Sequence, residues 1–207
     1  ARASRRKGQR DTRMAYLLLL PYIVLLIMFG VFPVIYAFGL SFVDTIENAG
    51  GTMADENGRV APVHYAVIAS KLPGVFNLGG DLALFRTAIE RRERSTLAHY
   101  GRACVDVLYR WWKNANTPLT TISLVQGEAL GGGFECALGS SVIVAEEDAR
   151  MGFPEVLFNL FPGMGAWNFT IRRAGFAVAN EMILSGKLYS AQELQSRGLV
   201  DHAVADG

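Results

Sequence analysis

Apolar residues run without a charged interruption from Met14 to Val43, and beyond that point the pattern breaks into short periods. Residues 64–70, HYAVIAS, have the β-branched and apolar character of a strand. Leu82, Leu84, Phe85, Ala88 and Ile89 fall on one helical face with Arg and Glu opposite, which predicts a helix from Leu82 to about His99. Asp81 is placed to cap it. Cys104, Val107, Leu108 and Trp111 give a second helix, Ala103 to Trp112. Ile122, Leu124 and Val125 mark a short strand, and a helix opens behind Gly131–Gly133 with Glu135 near its start. Another strand spans Val142–Ala145, and Val156–Trp167 is apolar almost throughout. Ser190-Ala191-Gln192-Glu193 reads as a capping box, Gly198 as a helix stop and Leu199–Val204 as a last strand. The order β-α-α-β-α-β-α-α-β indicates an α/β fold.

The run 14–43 exceeds the roughly 20 apolar residues that cross a bilayer, so a transmembrane helix is expected there. A secretory signal is the competing reading, but the run is long for one and no small-x-small cleavage site ends it. Net charge is only +1, yet Arg2, Arg5, Arg6, Lys7, Arg10 and Arg13 crowd residues 1–13. Alone, that basic arm would suggest nucleic acid; in front of a membrane span it predicts a cytoplasmic N-terminus and no nucleic-acid partner. Residues 44–59, polar and rich in Gly, Asn and acids, read as a linker or junction. The domains expected are thus 1–13, 14–43, 44–59 and 60–207.

The chemistry concentrates at Gly131–Gly133 and Glu135. Three glycines between a strand and a helix are costly in conformational entropy and suggest backbone N–H groups brought close to a ligand. A flexible loop is the blander reading. A dinucleotide fingerprint fails at Cys136, and no Gly-Lys-Ser/Thr follows to make a phosphate loop. A second acid, Glu155 in MGFPEVLF, follows the next strand and makes an acid/base pair with Glu135 plausible. Core packing and a hydrocarbon pocket both fit Val156–Trp167. Cys104 and Cys136 read as buried free thiols, and His64, His99 and His202 lack ligand spacing, so neither metal nor cofactor is expected.

FNLGGDL (76–82), VQGEALGGGFECAL (125–138), MGFPEVLFNLFPGMGA (151–166) and LSGKLYSAQELQSRGLVD (184–201) together resemble the crotonase, or enoyl-CoA hydratase/isomerase, superfamily over about residues 60–207. The wording NLGGDL and NLFPGMGA resembles the branch that makes diffusible signal factor, a cis-2-unsaturated fatty acid of bacterial quorum sensing. The resemblance implies a crotonase-like ββα spiral core. It implies that Gly80 and Gly132 offer the two N–H groups of an oxyanion hole, and that Glu135 and Glu155 are the catalytic acid and base. Leu130, Phe158, Met164 and Trp167 would line the acyl pocket. The implied activity is a dehydratase and thioesterase on 3-hydroxyacyl thioesters of acyl carrier protein or coenzyme A, with general hydratase or isomerase activity as the alternative.

The match lacks the family's first strands and its C-terminal helices, which implies a homotrimer only where those helices are present, and exposed apolar surface at Phe158, Phe161 and Trp167. Residues 1 to about 48 resemble the first membrane segment of sugar ABC transporter permeases: a basic tail, LLP, FP and a closing LSF. A membrane anchor with a cytoplasmic N-terminus sets residues 60–207 outside the cytoplasm, whereas the thioester chemistry is cytoplasmic. A chimera, with a non-catalytic membrane-anchored fragment as the alternative to an enzyme, is the expectation that reconciles the two.

Overall fold

The computed structural model describes residues 42–205. The basic arm and most of the predicted membrane span lie outside the described residues. Among the described residues no helix is long and apolar enough to cross a membrane.

The elements are β1 (Thr52–Ala54), β2 (Val60–Pro62), β3 (Tyr65–Ala69), β4 (Val75–Asn77), α1 (Leu82–Glu90), α2 (Arg94–Trp112), β5 (Thr120–Val125), β6 (Glu128–Leu130), α3 (Gly132–Leu138), β7 (Val142–Glu146), β8 (Arg150–Gly152), α4 (Ala166–Ala174), α5 (Phe176–Ser185), β9 (Leu188–Ser190), α6 (Ala191–Ser196) and β10 (His202–Val204). Short 3-10 turns cover Asn114–Asn116 and Pro154–Phe158. A hairpin, β1–β2, stands apart from two four-stranded sheets. One sheet is ordered β10-β7-β5-β3 and is parallel throughout. The other is ordered β4-β6-β8-β9, with β4, β6 and β8 parallel and β9 antiparallel at its edge.

The chain advances by a repeated step. It lays one strand in the first sheet, turns sharply, lays the next in the second sheet, and returns by a helix. β3–β4, β5–β6 and β7–β8 are three such steps, and each adds a neighbour to both sheets. This is the ββα spiral that the sequence motifs imply. Its core gathers Phe134, Leu138, Ile143, Met151, Phe153, Met182, Leu194 and Leu199, all fully buried.

Three sequence expectations change. The helix predicted from Leu82 to His99 ends at Glu90, and α2 starts at Arg94 and runs straight through Gly101. The break is a closure in which Glu93 N–H donates to Ala88 O (2.8 Å) and Arg92 N–H to Ile89 O, with Arg92 left-handed at φ 57°. Glycine usually occupies that position, so the sequence carries no signal for it. The apolar run Val156–Trp167 is divided: Ala166 is in the core and Met164 packs against it, while Leu157, Phe158 and Phe161 stand exposed.

Residues 44–59 are not a bare linker. Residues 42–48 are helical, and Val43 and Ile46 are buried with Ala66, Trp111, Ala115 and Leu119. Arg110 pairs with Asp44 and, at 2.6 Å, with Glu47, which also accepts from Asn116 Nδ2 at 2.6 Å. The polar composition hid two apolar residues one helical turn apart. Val43, read as the end of the span, therefore belongs to this domain. Ile46→Ala is expected to cost about 2–5 kcal/mol in urea unfolding; a change within about 0.5 kcal/mol, as for an unpacked linker, would show that this packing is absent.

Candidate active site

Strands β4, β6 and β8 lie side by side and point the same way, so their carboxyl ends open at one place. Each ends in a turn: 78–81 after β4, 131–133 after β6, and 153–155 after β8. Ligands of parallel α/β sheets gather at such ends. The cross-strand bond from Gly131 N–H to Gly152 O (2.9 Å) ties the second turn to the third.

The glycines of these turns lie in close contact with their neighbours, against backbone at Gly79 and Gly133 and against side-chain ends at Gly131 and Gly132. A β carbon on Gly133 would collide with the Asn77 carbonyl, one on Gly132 with Met164 Cε, and one on Gly131 with the Glu155 carboxylate. Gly79, at φ +90°, would set a β carbon 2.9 Å from Leu130 O and 3.1 Å from Gly132 N. A β carbon on Gly132 would lie 3.5 Å from Gly80 N. The structure thus brings the Gly80 and Gly132 backbones together. Among the described residues neither N–H has a hydrogen-bond partner within the chain.

Glu135 lies in the first turn of α3 and is only 1% exposed. Its Oε1 accepts the N–H groups of Met164 and Ala166, both at 2.8 Å. Ala166 opens α4, so the carboxylate also faces that helix's positive end. Burial pushes the Glu135 pKa up; the N–H groups of Ala166 and Met164 pull it back and the charge of Glu155 raises it again, leaving it at about 7. With Oε1 tethered, Oε2 is the oxygen free to exchange a proton.

Glu155 is half-buried at the start of the 3-10 turn, packed on Gly131, and burial raises its pKa too. Its Oε2 is buried without a hydrogen-bond partner. With no donor on that oxygen, burial disfavours the charged form of Glu155. The two glutamates therefore sit in one site with different support: one oxygen held by two amides, one left unpaired.

Of the residues expected in an acyl pocket, Leu130 and Met164 adjoin the glycine turns. Phe158 and Trp167 are 62% and 38% exposed, and Trp167 packs edge-on against Phe176 at 5.5 Å; neither is enclosed over the glutamates. Among the described residues no cluster of His, Cys, Asp and Glu is built to hold a metal ion. Sequence reading missed the main-chain donors of 164–166. The signal was Gly165, whose φ of +131° and contact with Phe169 exclude a side chain while the turn aims its amides at Glu135.

The family model for enoyl-CoA hydratase/isomerase matches residues 55–207. Rat mitochondrial methylglutaconyl-CoA hydratase is 34% identical over 142 residues, 69% of this chain and 43% of that protein. A probable enoyl-CoA hydratase of Rhizobium meliloti is 34% identical over 137 residues, 66% of this chain and 53% of that protein. The chain spans about half the length of these relatives. Among solved structures, an enoyl-CoA hydratase of Polaromonas superposes with a TM-score of 0.70 at 25% identity, covering 83% of this chain and 61% of that one. Pseudomonas aeruginosa DspI superposes at 0.69 with 23% identity, over 83% and 63%, a likeness of fold.

Folded Glu135 keeps its proton up to about pH 7, whereas an unfolded glutamate loses it near 4.5. The folded state binds more proton between these values, so stability falls as pH rises through them. Glu135→Gln is expected to remove the Glu135 share of that fall, about 3 kcal/mol in total across the range. Urea midpoints of both proteins from pH 4.5 to 8 check this; parallel pH profiles would place the Glu135 pKa at its ordinary value.

Proposed function

The chain belongs to the enoyl-CoA hydratase/isomerase family, and from that premise we propose that it interconverts 2-enoyl and 3-hydroxyacyl thioesters. The observation that carries this reading is the convergence of the two unpartnered N–H groups, Gly80 and Gly132, beside one buried and one half-buried carboxyl of unequal support. A thioester carbonyl placed between those amides is polarised, and the charge that develops on its oxygen meets donors already in position. Glu135, through Oε2, takes a proton from water as the water oxygen bonds to C3. Glu155 delivers its proton to C2 as the enolate collapses. Exchange with solvent returns both carboxyls to their starting states. Run backwards, the same steps eliminate water from a 3-hydroxyacyl thioester. The substrate needs no cofactor beyond its own carrier, coenzyme A or acyl carrier protein.

A second, finer reading is elimination to a cis-2-enoyl thioester followed by hydrolysis to the free acid, as in diffusible signal factor synthesis. It is favoured by the wording of residues 77–82 and 159–166. The exposed apolar stretch Leu157–Phe161 beside the site would suit a longer acyl chain. The two readings part at the product: thioester for a hydratase, free acid for the synthase.

Glu135→Gln and Glu155→Gln should each lower kcat for hydration of a trans-2-enoyl-CoA by about 10²–10⁴-fold. Loss of the ultraviolet absorbance of the conjugated enoyl thioester would follow the reaction, and mass spectrometry of the product would identify thioester or acid. Undiminished turnover in both variants would remove the acid/base assignment. For the run 14–43 we propose a membrane anchor; resistance of the full chain to alkaline extraction from membranes is the expected result, and release into the soluble fraction would reject it.

A further inference from the structure

The turn after β4 contains an arrangement that the family match does not assign. Gly79 and Gly80 have no side chains to stiffen them, and a glycine pair moves more freely than any other. Yet the peptides on either side of Gly80 N–H are both pinned. Gly79 N–H, in the preceding peptide, donates to Asn77 Oδ1 at 2.9 Å. Asp81 N–H, in the following peptide, donates to the hydroxyl oxygen of Tyr100 at 3.1 Å, across 19 residues of sequence. The Asp81 side chain then caps α1, accepting from Ala83 and Leu84 N–H at 3.0 and 2.9 Å. Only the peptide between them, carrying the Gly80 N–H, is left without a partner.

Tyr100 also backs the turn sterically. Its ring meets Phe85 edge-on at 5.2 Å, and a β carbon on Gly80 would lie 3.4 Å from Phe85 Cε2 and 3.7 Å from the Tyr100 hydroxyl. The phenol and Phe85 thus close the side of Gly80 that faces α1 and α2, leaving its N–H the side toward Gly132. Burial pushes the Tyr100 pKa up to about 12, so the hydroxyl stays neutral across the working pH range.

We infer that Tyr100 is a positioning residue: by accepting the Asp81 N–H it fixes the neighbouring peptide so that the Gly80 N–H stays directed at the thioester oxygen. The inference rests on the proposed use of Gly80 as an oxyanion donor. Tyr100 itself touches no reacting atom.

Tyr100→Phe in the full chain removes the hydroxyl and keeps the ring against Phe85. Three measurements decide the matter. Amide hydrogen exchange by NMR should show Asp81 exchanging at least about ten-fold faster, with the amides of α2 unchanged. Hydration of an enoyl-CoA should lose about ten-fold in kcat with KM little altered, since losing an oxyanion donor outright costs about 10²–10³ and this change only loosens one. The carbonyl stretch of a bound ¹³C-labelled thioester should move toward its solution frequency. Unchanged Asp81 exchange overturns the inference whatever the activity. Faster exchange with unaltered kcat and carbonyl stretch overturns it too, leaving the hydroxyl a structural contact. A parent chain that hydrates no enoyl thioester would reject the function proposed above, while the exchange comparison would still report whether Tyr100 holds the turn.

Discussion

The structure depends on a buried carboxylate shared between two helices. Glu135 belongs to the first turn of α3, and its Oε1 gathers the amides that open α4. Removing an ionised carboxylate from water costs several kcal/mol, and donors of fixed direction offset part of that cost. Here burial outweighs the donors without overwhelming them, which moves the group from its ordinary 4.5 to about 7. A fully compensated carboxylate would stay ionised and exchange protons poorly; an uncompensated one would stay protonated. The same bonds also fix the turn 163–165 over the glycines, because Met164 must sit where its amide reaches the acid and its side chain covers Gly132.

The spiral supplies the remaining parts by repetition. Each β-β-α step adds one strand to the sheet β4-β6-β8-β9, and three successive parallel strands of that sheet end at one place. One turn brings Gly80, the next Gly132 and the third Glu155. Three segments widely separated in sequence meet because of strand order alone.

That explains which features were legible in the sequence. Gly131–Gly133, Glu135 and Glu155 drew attention because their residue types are unusual for where they stand, and the family motifs assigned them roles. The capping box at Ser190 and Glu193 was equally plain and is present, with Glu193 N–H donating to Ser190 Oγ at 3.2 Å. Main-chain contributions were not visible: the amides of Met164 and Ala166 have no side-chain signature, and a tyrosine in an amphipathic helix reads as core. Arg92 hid a helix break because a left-handed arginine resembles any solvated arginine. The segment 42–48 was misjudged since Asp44, Glu47 and Asn48 dominate its composition, while Val43 and Ile46 determine its packing. For Thr170, whose buried hydroxyl lacks a partner, the structure offers no physical account.

The contact between Gly133 and the Asn77 carbonyl separates two kinds of lesion in this small region. Position 133 is filled to the backbone on the side facing β4, so a methyl group there would have to part α3 from the strand, and its damage would surface as a shortage of soluble protein. Position 80 has ordinary contact distance around it, and an added methyl there would leave the architecture alone. Neighbouring sites in one pocket would therefore fail by different routes, the first in expression and the second, if at all, in turnover.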